Sequence, residues 1–126
     1  MKVILRTKVA LIICGLFLSF IILEVGLRAG GFVLSSIQEY RNRQTIKQKG
    51  AYRILCLGES TTAGQYSVFL EEILNQRSAG IKFSVIDKGV CRTTTSAILE
   101  RLNFNIDKYH PDMVVTMMGI NDWGAH

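Results

Sequence analysis

The sequence has few of the residues that build small cross-linked or repetitive proteins: its 126 residues include one proline, two histidines and three cysteines. One proline beside eleven glycines excludes collagen-like and proline-rich architectures. Cys14, Cys56 and Cys91 are too few and too scattered for a disulfide framework or a zinc site, although a Cys56–Cys91 bridge stays open for a domain outside the cytoplasm. The apolar content of 48% excludes a disordered chain, and the length allows one domain besides a targeting segment.

The net charge of +5 is concentrated at the front of the chain. Residues 1–53 hold nine of the fifteen basic residues and two of the ten acidic ones, whereas residues 54–126 hold six basic and eight acidic residues. The folded part is therefore mildly acidic, which argues against a nucleic-acid-binding face and against a nucleic-acid partner.

A charge-free run from Val9 to Leu23 follows three cations near the N-terminus. At about 1.5 Å per residue, a helix over residues 9–27 nearly matches the ~30 Å hydrocarbon core of a bilayer. We therefore predict a cytoplasmic tip and a transmembrane signal anchor over residues 1–28. A cleaved secretory signal is the alternative, but Arg28 interrupts the small residues that a cleavage site needs.

The leading cations keep the N-terminus of such an anchor in the cytoplasm, so we expect a single-pass membrane protein whose remaining chain is extracytoplasmic. Residues 35–50 are polar and cationic with little periodicity, and we interpret residues 29–51 as a juxtamembrane linker or a short surface helix. A patch for anionic lipid head groups is the second interpretation of this segment.

Residues 52–126 alternate between short apolar runs and amphipathic stretches. This order predicts a parallel α/β sheet with right-handed crossovers. The predicted strands lie around residues 54–57, 83–86 and 113–118, and the predicted helices lie around residues 66–77 and 97–106.

Two loops that follow predicted strands carry side chains suited to acyl transfer: residues 58–62 read Gly-Glu-Ser-Thr-Thr, and residues 119–122 read Gly-Ile-Asn-Asp. If the first strand is central, both loops meet at the carboxyl edge of the sheet, where α/β proteins place their sites. Ser60 would then attack a carbonyl, while its own N–H and the Asn121 amide stabilise the oxyanion. A helix that begins just after Ser60 would add a favourable partial charge. Taken alone, the first loop is equally consistent with a simple helix N-cap.

These residues resemble the SGNH hydrolases, also called the GDSL esterase/lipase family. Residues 58–62 resemble its first block, Gly-Asp-Ser-x-Ser/Thr, with Glu59 in place of Asp, and residues 119–122 match its third block, Gly-x-Asn-Asp. Residues 87–92 lie where the second block, Asn-x-x-x-x-Gly, is expected. The apolar N-terminus is also similar to membrane-tethered bacterial members.

The resemblance implies a flavodoxin-like three-layer α/β/α fold and ester hydrolysis through an acyl-serine, with no cofactor and no metal. It makes Ser60 the nucleophile and Asn121 the oxyanion-hole side chain, and it puts Arg92 at the second-block glycine, whose backbone N–H completes the hole. Where that loop needs a positive φ, arginine costs about 1 kcal/mol. Asp87 replaces the second-block asparagine and removes an amide donor, which we expect to loosen the loop. The supporting residues are Gly58, Glu59, Gly89, Gly119 and Asp122.

The family's Asp-x-x-His block, which holds the catalytic base and its acidic partner, has no match here: neither His110 nor His126 has an aspartate three residues before it. We therefore expect residues 52–126 to be the N-terminal part of a longer hydrolase domain, truncated after the third strand, whose apolar edge is left uncovered. Three functions stay open. The first is a membrane-anchored serine esterase acting on a small ester, the second an O-acyltransferase acting on cell-surface glycans, and the third a non-catalytic fragment or binding module.

Overall fold

The computed structural model describes residues 2–123, with side chains from residue 7 onward. The chain divides into two compact units, Met1–Ile37 and Gln38–His126. Within the described residues the elements are α1 (Lys2–Ile46), β1 (Tyr52–Gly58), α2 (Ser67–Arg77), β2 (Phe83–Gly89), α3 (Thr95–Glu100), α4 (Leu102–Tyr109) and β3 (Met113–Met117). A kinked π-type segment at Thr62–Tyr66 and a 3-10 turn at Ile120–Asp122 complete them.

The first unit consists of the N-terminal part of α1, which is long and apolar enough to cross a membrane. Its large apolar side chains are exposed, with Phe17 at 70% and Phe20 at 69%. Ser19 donates its hydroxyl to the carbonyl of Gly15, which satisfies its polar group within the helix. By length and composition, this helix fits a membrane span or a signal sequence.

Residues 38–46 of α1 belong to the second unit, and the segment interpreted as a linker or a short surface helix is helical as far as Ile46. Its last turns pack on the sheet: Asn42 and Thr45 are buried, and Ile46 contacts the core on one face of the sheet. The sequence around these residues shows little apolar periodicity because hydrogen bonds, more than apolar contacts, hold this part of the helix to the sheet.

The second unit is a mixed α/β structure built on a three-stranded parallel sheet in the order β2-β1-β3. Helices cover both faces. On one face, Leu55, Leu57 and Ile86 pack with residues of α3 and α4; on the other, Ile54 and Cys56 pack with residues of α2. The central position of β1 explains its unbroken apolar run, since strands buried on both faces need no polar alternation.

The predicted strands and the first predicted helix match the structure within a few residues. The second predicted helix is instead two: α3 ends at Glu100 and α4 begins at Leu102. The break falls at Arg101, whose φ of −96° and ψ of 0° lie in the bridge region of backbone space.

Side chains form hydrogen bonds with several backbone groups along the outer edge of β2. The amide of Asn42 donates to the carbonyl of Asp87 at 2.6 Å and accepts from its N–H at 2.9 Å. Asn75 of α2 pairs with Phe83 in the same two-way manner, at 3.0 and 2.9 Å. These carboxamides occupy the place of a neighbouring strand, so this edge is closed to further pairing.

The opposite edge strand, β3, is uncovered among residues 2–123. Met113 and Met117 are 47% and 48% exposed, whereas Leu55 of β1 is 0% exposed. The exposed apolar edge that the sequence predicts is therefore present in the structure.

Candidate functional site

The loops that follow β1 and β3 are joined by one buried carboxylate. Glu59 is 0% exposed, and its two oxygens accept the backbone N–H groups of Gly119 at 2.9 Å and Asn121 at 3.1 Å. Because Ser60 is the next residue, its loop lies beside that of Asn121, as the strand order β2-β1-β3 requires. Ser60 itself is exposed at the carboxyl edge of the sheet.

The side chain of Asn121 is exposed but oriented. Its Nδ2 donates to the carbonyl of Thr93, in the loop after β2, at 3.0 Å. A carboxamide nitrogen carries two hydrogens, so one N–H fixes the group and the second stays free for a ligand. A donor held in place before the ligand arrives is what oxyanion stabilisation requires.

Two glycines allow the loops to approach one another. A Cβ on Gly58 would collide with the side chain of Thr62 and the carbonyl of Met117, and a Cβ on Gly89 would collide with the backbone of Ala63. The Val90 N–H also donates to the carbonyl of Gly58 at 2.9 Å. Gly119 adds a third requirement, because its φ of 115° lies in a region that other residues avoid.

The expectation that a helix begins just after Ser60 is wrong. Within Thr62–Tyr66 the backbone leaves helical geometry at Ala63, Gly64 and Gln65, and α2 begins only at Ser67. The loop bends here because Gly64, with φ 66°, reverses the chain. The favourable partial charge of a helix N-terminus is therefore absent from Ser60.

Asp87, which stands at the start of the second block, accepts four hydrogen bonds. They come from the N–H of Gly64 and the hydroxyl of Ser67, both at 2.7 Å, and from the Gln38 amide at 2.8 Å and the Gly89 N–H at 2.9 Å. All four partners are donors, which a carboxylate suits better than the donor-bearing asparagine of the family pattern. The expected loosening of the loop is therefore wrong: Asp87 ties α1, β2 and the Ser60 loop together.

Arg92 has a φ of 58°, the left-handed conformation that favours glycine. The loop therefore has the positive φ at which an arginine is expected to lower the stability of the fold. Its side chain is exposed, and its backbone N–H donates to no other group among residues 2–123. That N–H is free to act as the second donor that the resemblance assigns to it.

Asp122 connects the third loop to α3. One carboxylate oxygen accepts the backbone N–H of Thr95, the first residue of that helix, at 2.8 Å. The nearby Thr95 hydroxyl and the hydrogen bond from the Thr95 backbone lower the pKa of Asp122 below its ordinary value. Asp122 therefore acts as a hydrogen-bond acceptor that connects the third loop to α3.

A buried polar cluster lies beneath the Ser60 loop. Burial raises the pKa of the Cys56 thiol; the neighbouring Tyr66 hydroxyl opposes this shift, and the charge of Asp87 reinforces it. Burial and the neighbouring Cys56 raise the pKa of Tyr66 to about 12. Both groups are neutral at physiological pH, so neither supplies a nucleophile or a base.

The described histidine lies at the wrong end of the sheet. His110 is the C-cap of α4 and precedes β3, whereas Ser60 and Asn121 follow the carboxyl ends of their strands. His126 falls outside the described residues. Within residues 2–123, no three His, Cys, Asp or Glu side chains come together in a group able to hold a metal ion.

Some residues of the site were not singled out from the sequence. Thr93 anchors the Asn121 amide through its carbonyl, which no side-chain motif signals. Gln38 donates its amide to Asp87 from forty-nine residues away, within a segment whose composition indicates a juxtamembrane linker or a short surface helix.

No family model, curated protein or solved structure matches this chain. The chemistry of the site therefore has to be inferred from its own contacts: one exposed hydroxyl, one oriented amide and one free backbone N–H on three adjoining loops.

Proposed function

We propose that this chain carries the nucleophile and oxyanion-binding part of a membrane-tethered serine esterase. The observation that supports it best is the Glu59 carboxylate, which holds the Asn121 loop beside Ser60. In this proposal Ser60 attacks an ester carbonyl, and the Asn121 amide and the Arg92 N–H bind the oxygen that becomes negative. The alcohol leaves, and water releases the acid from the acyl-serine.

The proposed reaction also needs a general base to take the Ser60 proton. His110 does not meet this need, because it lies at the opposite edge of the sheet. The base therefore has to come from outside the described residues. This requirement makes the proposal testable, since a small base added to the solution can replace a missing side chain.

The test is labelling of the full chain in detergent with a fluorophosphonate, with and without imidazole. Attack forms the bond between Ser60 Oγ and phosphorus, the P–F bond breaks, fluoride leaves, and imidazole takes the hydroxyl proton. We expect imidazole to accelerate modification of the Ser60 peptide, as measured by mass spectrometry. Ser60→Ala should abolish that modification, whereas Ser96→Ala, which removes an exposed serine of α3, should not change it.

Asn121→Ala tests the oxyanion donor in the same assay. Loss of one such donor typically lowers rates by about 10²–10³-fold. The esterase proposal would be overturned, leaving a non-catalytic binding module, if imidazole did not accelerate labelling of Ser60 above that of Ser96, or if Asn121→Ala and the parent chain were labelled at equal rates in imidazole.

The proposed location is the membrane, with the sheet on the extracytoplasmic side, because three cations precede the apolar helix. Cys91 is exposed and offers a direct test. A membrane-impermeant maleimide should modify Cys91 in intact cells expressing the full chain. Modification only after the cells are lysed would place the sheet on the cytoplasmic side.

A further inference from the structure

A groove lies between the carboxyl end of β2 and helices α3 and α4. Its volume is ≈ 350 Å³, at the small end of ligand-binding cavities. Apolar side chains form much of its lining, among them Val90, Ala97, Ile98 and Phe104. Such a surface suits a short hydrocarbon segment, but the polar groups around it determine which ligand fits.

Asn105 is the first of these polar groups. It is 5% exposed and lines the groove, and its carboxamide makes no hydrogen bond to any residue between 2 and 123. Buried amides in folded proteins almost always have a partner. An amide that is nearly buried, lines a groove and has no protein partner indicates a polar ligand group in that groove.

Two cations also line the groove. The guanidinium of Arg101 pairs with no acidic group in the described part of the chain. The ammonium of Lys88 lies 3.5 Å from a carboxylate oxygen of Glu39, but Glu39 also pairs with Lys108 at 2.9 Å and with Arg43 at 3.6 Å, so its one negative charge is shared among three cations. The groove therefore carries a net positive charge, which favours an anionic ligand group. A guanidinium fork binds both oxygens of a carboxylate at once.

Thr93 connects the groove to the Ser60 site. It lines the groove, and its carbonyl also accepts the Nδ2 of Asn121 at 3.0 Å. A molecule whose carbonyl binds at Asn121 thus has the groove directly beside it.

We propose that the groove binds an apolar chain that carries a carboxylate, with Arg101 and Asn105 binding the carboxylate and the apolar lining holding the chain. The assignment of the groove as a substrate subsite rests on the proposed esterase function. The substrates would then be esters whose acyl or alcohol part is anionic and partly apolar. Binding to the groove does not depend on that function, so the two can fail separately.

The experiment titrates the full chain in phosphatidylcholine nanodiscs with hexanoate and, separately, with hexylammonium. The readout is the shift of ¹³C-labelled methyl resonances of Ala97 and Ile98. Hexanoate should shift them saturably, whereas hexylammonium, of equal length and opposite charge, should bind at least tenfold more weakly. Equal responses to the two probes, or no saturable response to hexanoate, would overturn the proposal.

Arg101→Gln should weaken hexanoate binding at least tenfold, and Asn105→Ala should weaken it several-fold. Arg77→Gln is the matched control, because Arg77 is an exposed arginine of α2 on the other face of the sheet. Parent-like affinity in Arg101→Gln, or an equal loss in Arg77→Gln, would count against a specific carboxylate site. Ser60→Ala should bind hexanoate with the affinity of the parent chain. Hexanoate binding to the groove can therefore be tested even if the chain does not react with the fluorophosphonate.

Discussion

The buried carboxylate of Glu59 accepts the backbone N–H of Asn121 at 3.1 Å, across sixty-two residues of sequence. Its other oxygen accepts the N–H of Gly119. Two backbone N–H groups therefore depend on one buried side chain, and a change that removes an acceptor leaves a donor without a partner.

Glu59→Gln should destabilise the second unit by about 1–3 kcal/mol, because the amide offers one acceptor oxygen where the carboxylate offers two. The measurement is urea unfolding of the full chain in detergent, followed by alkylation of the buried Cys56 thiol. Glu72→Gln, at an exposed position of α2, is the control and should stay within about 0.5 kcal/mol of the parent. Equal stability of the two variants would mean that Glu59 does not hold the loops together.

Cys56 and Cys91 should differ sharply in reactivity. Cys56 is 0% exposed and burial raises the pKa of its thiol, whereas Cys91 is exposed. In the folded chain, iodoacetamide should modify Cys91 on the order of 100-fold faster or more, because Cys56 reacts only through opening of the sheet. Urea should remove the difference. The cysteines are free in the structure, so a Cys56–Cys91 bridge found by mass spectrometry would contradict this prediction.

Asn42→Ala should open the edge of β2. The variant loses both hydrogen bonds to the Asp87 backbone at a site that is 2% exposed, and we expect a loss of about 2–3 kcal/mol. Asn103→Ala, at an exposed position of α4, should cost less than about 0.5 kcal/mol. Unfolding monitored at Cys56 distinguishes the two. A parent-like Asn42→Ala chain would show that α1 does not stabilise the sheet.

The sequence predicts the strands and, on the condition that the first strand is central, the meeting of the two loops, because both depend on local patterns. Apolar runs that end in glycine mark the strands, and parallel topology brings their carboxyl ends to one edge. The packing of Asn42 against β2 follows no such pattern, because a polar residue in a polar segment carries no periodic signal. The kink after Ser60 follows no periodic pattern either, because it arises where Gly64, with φ 66°, reverses the chain.

Acid should weaken the contact between α1 and the rest of its unit. Burial alone would raise the pKa of Glu39, but the hydrogen bond from Lys108 and the charges of Lys88 and Lys108 outweigh it, so the pKa is lowered. A carboxylate whose pKa is lower in the folded chain stabilises the fold at pH values above its unfolded-state pKa of about 4.3. This contribution is lost as the pH falls through the folded-state pKa.

Glu39→Gln should therefore be less stable than the parent at pH 6, and the gap should narrow as the pH falls below about 4. Asp122 titrates in the same range in both chains, so the difference between them isolates Glu39. The measurement is the urea midpoint of Cys56 protection at each pH. A gap that stays constant or widens in acid would contradict the assigned ion pairs.

At position 92 we expect the glycine variant to be more stable than the alanine variant. Within a helix the order of stability is the reverse. At a φ of 58°, a residue with a Cβ is strained by about 1–2 kcal/mol, which glycine avoids. Glycine also gains more conformational freedom in the unfolded chain, and this effect cancels roughly half of its advantage. The glycine variant should therefore be more stable than the alanine variant by about 0.5–1 kcal/mol. Arg41, exposed within α1, is the control: there glycine should be about 1 kcal/mol less stable than alanine. If alanine is favoured at both positions, the left-handed conformation of Arg92 is wrong, and with it the free N–H assigned to the oxyanion.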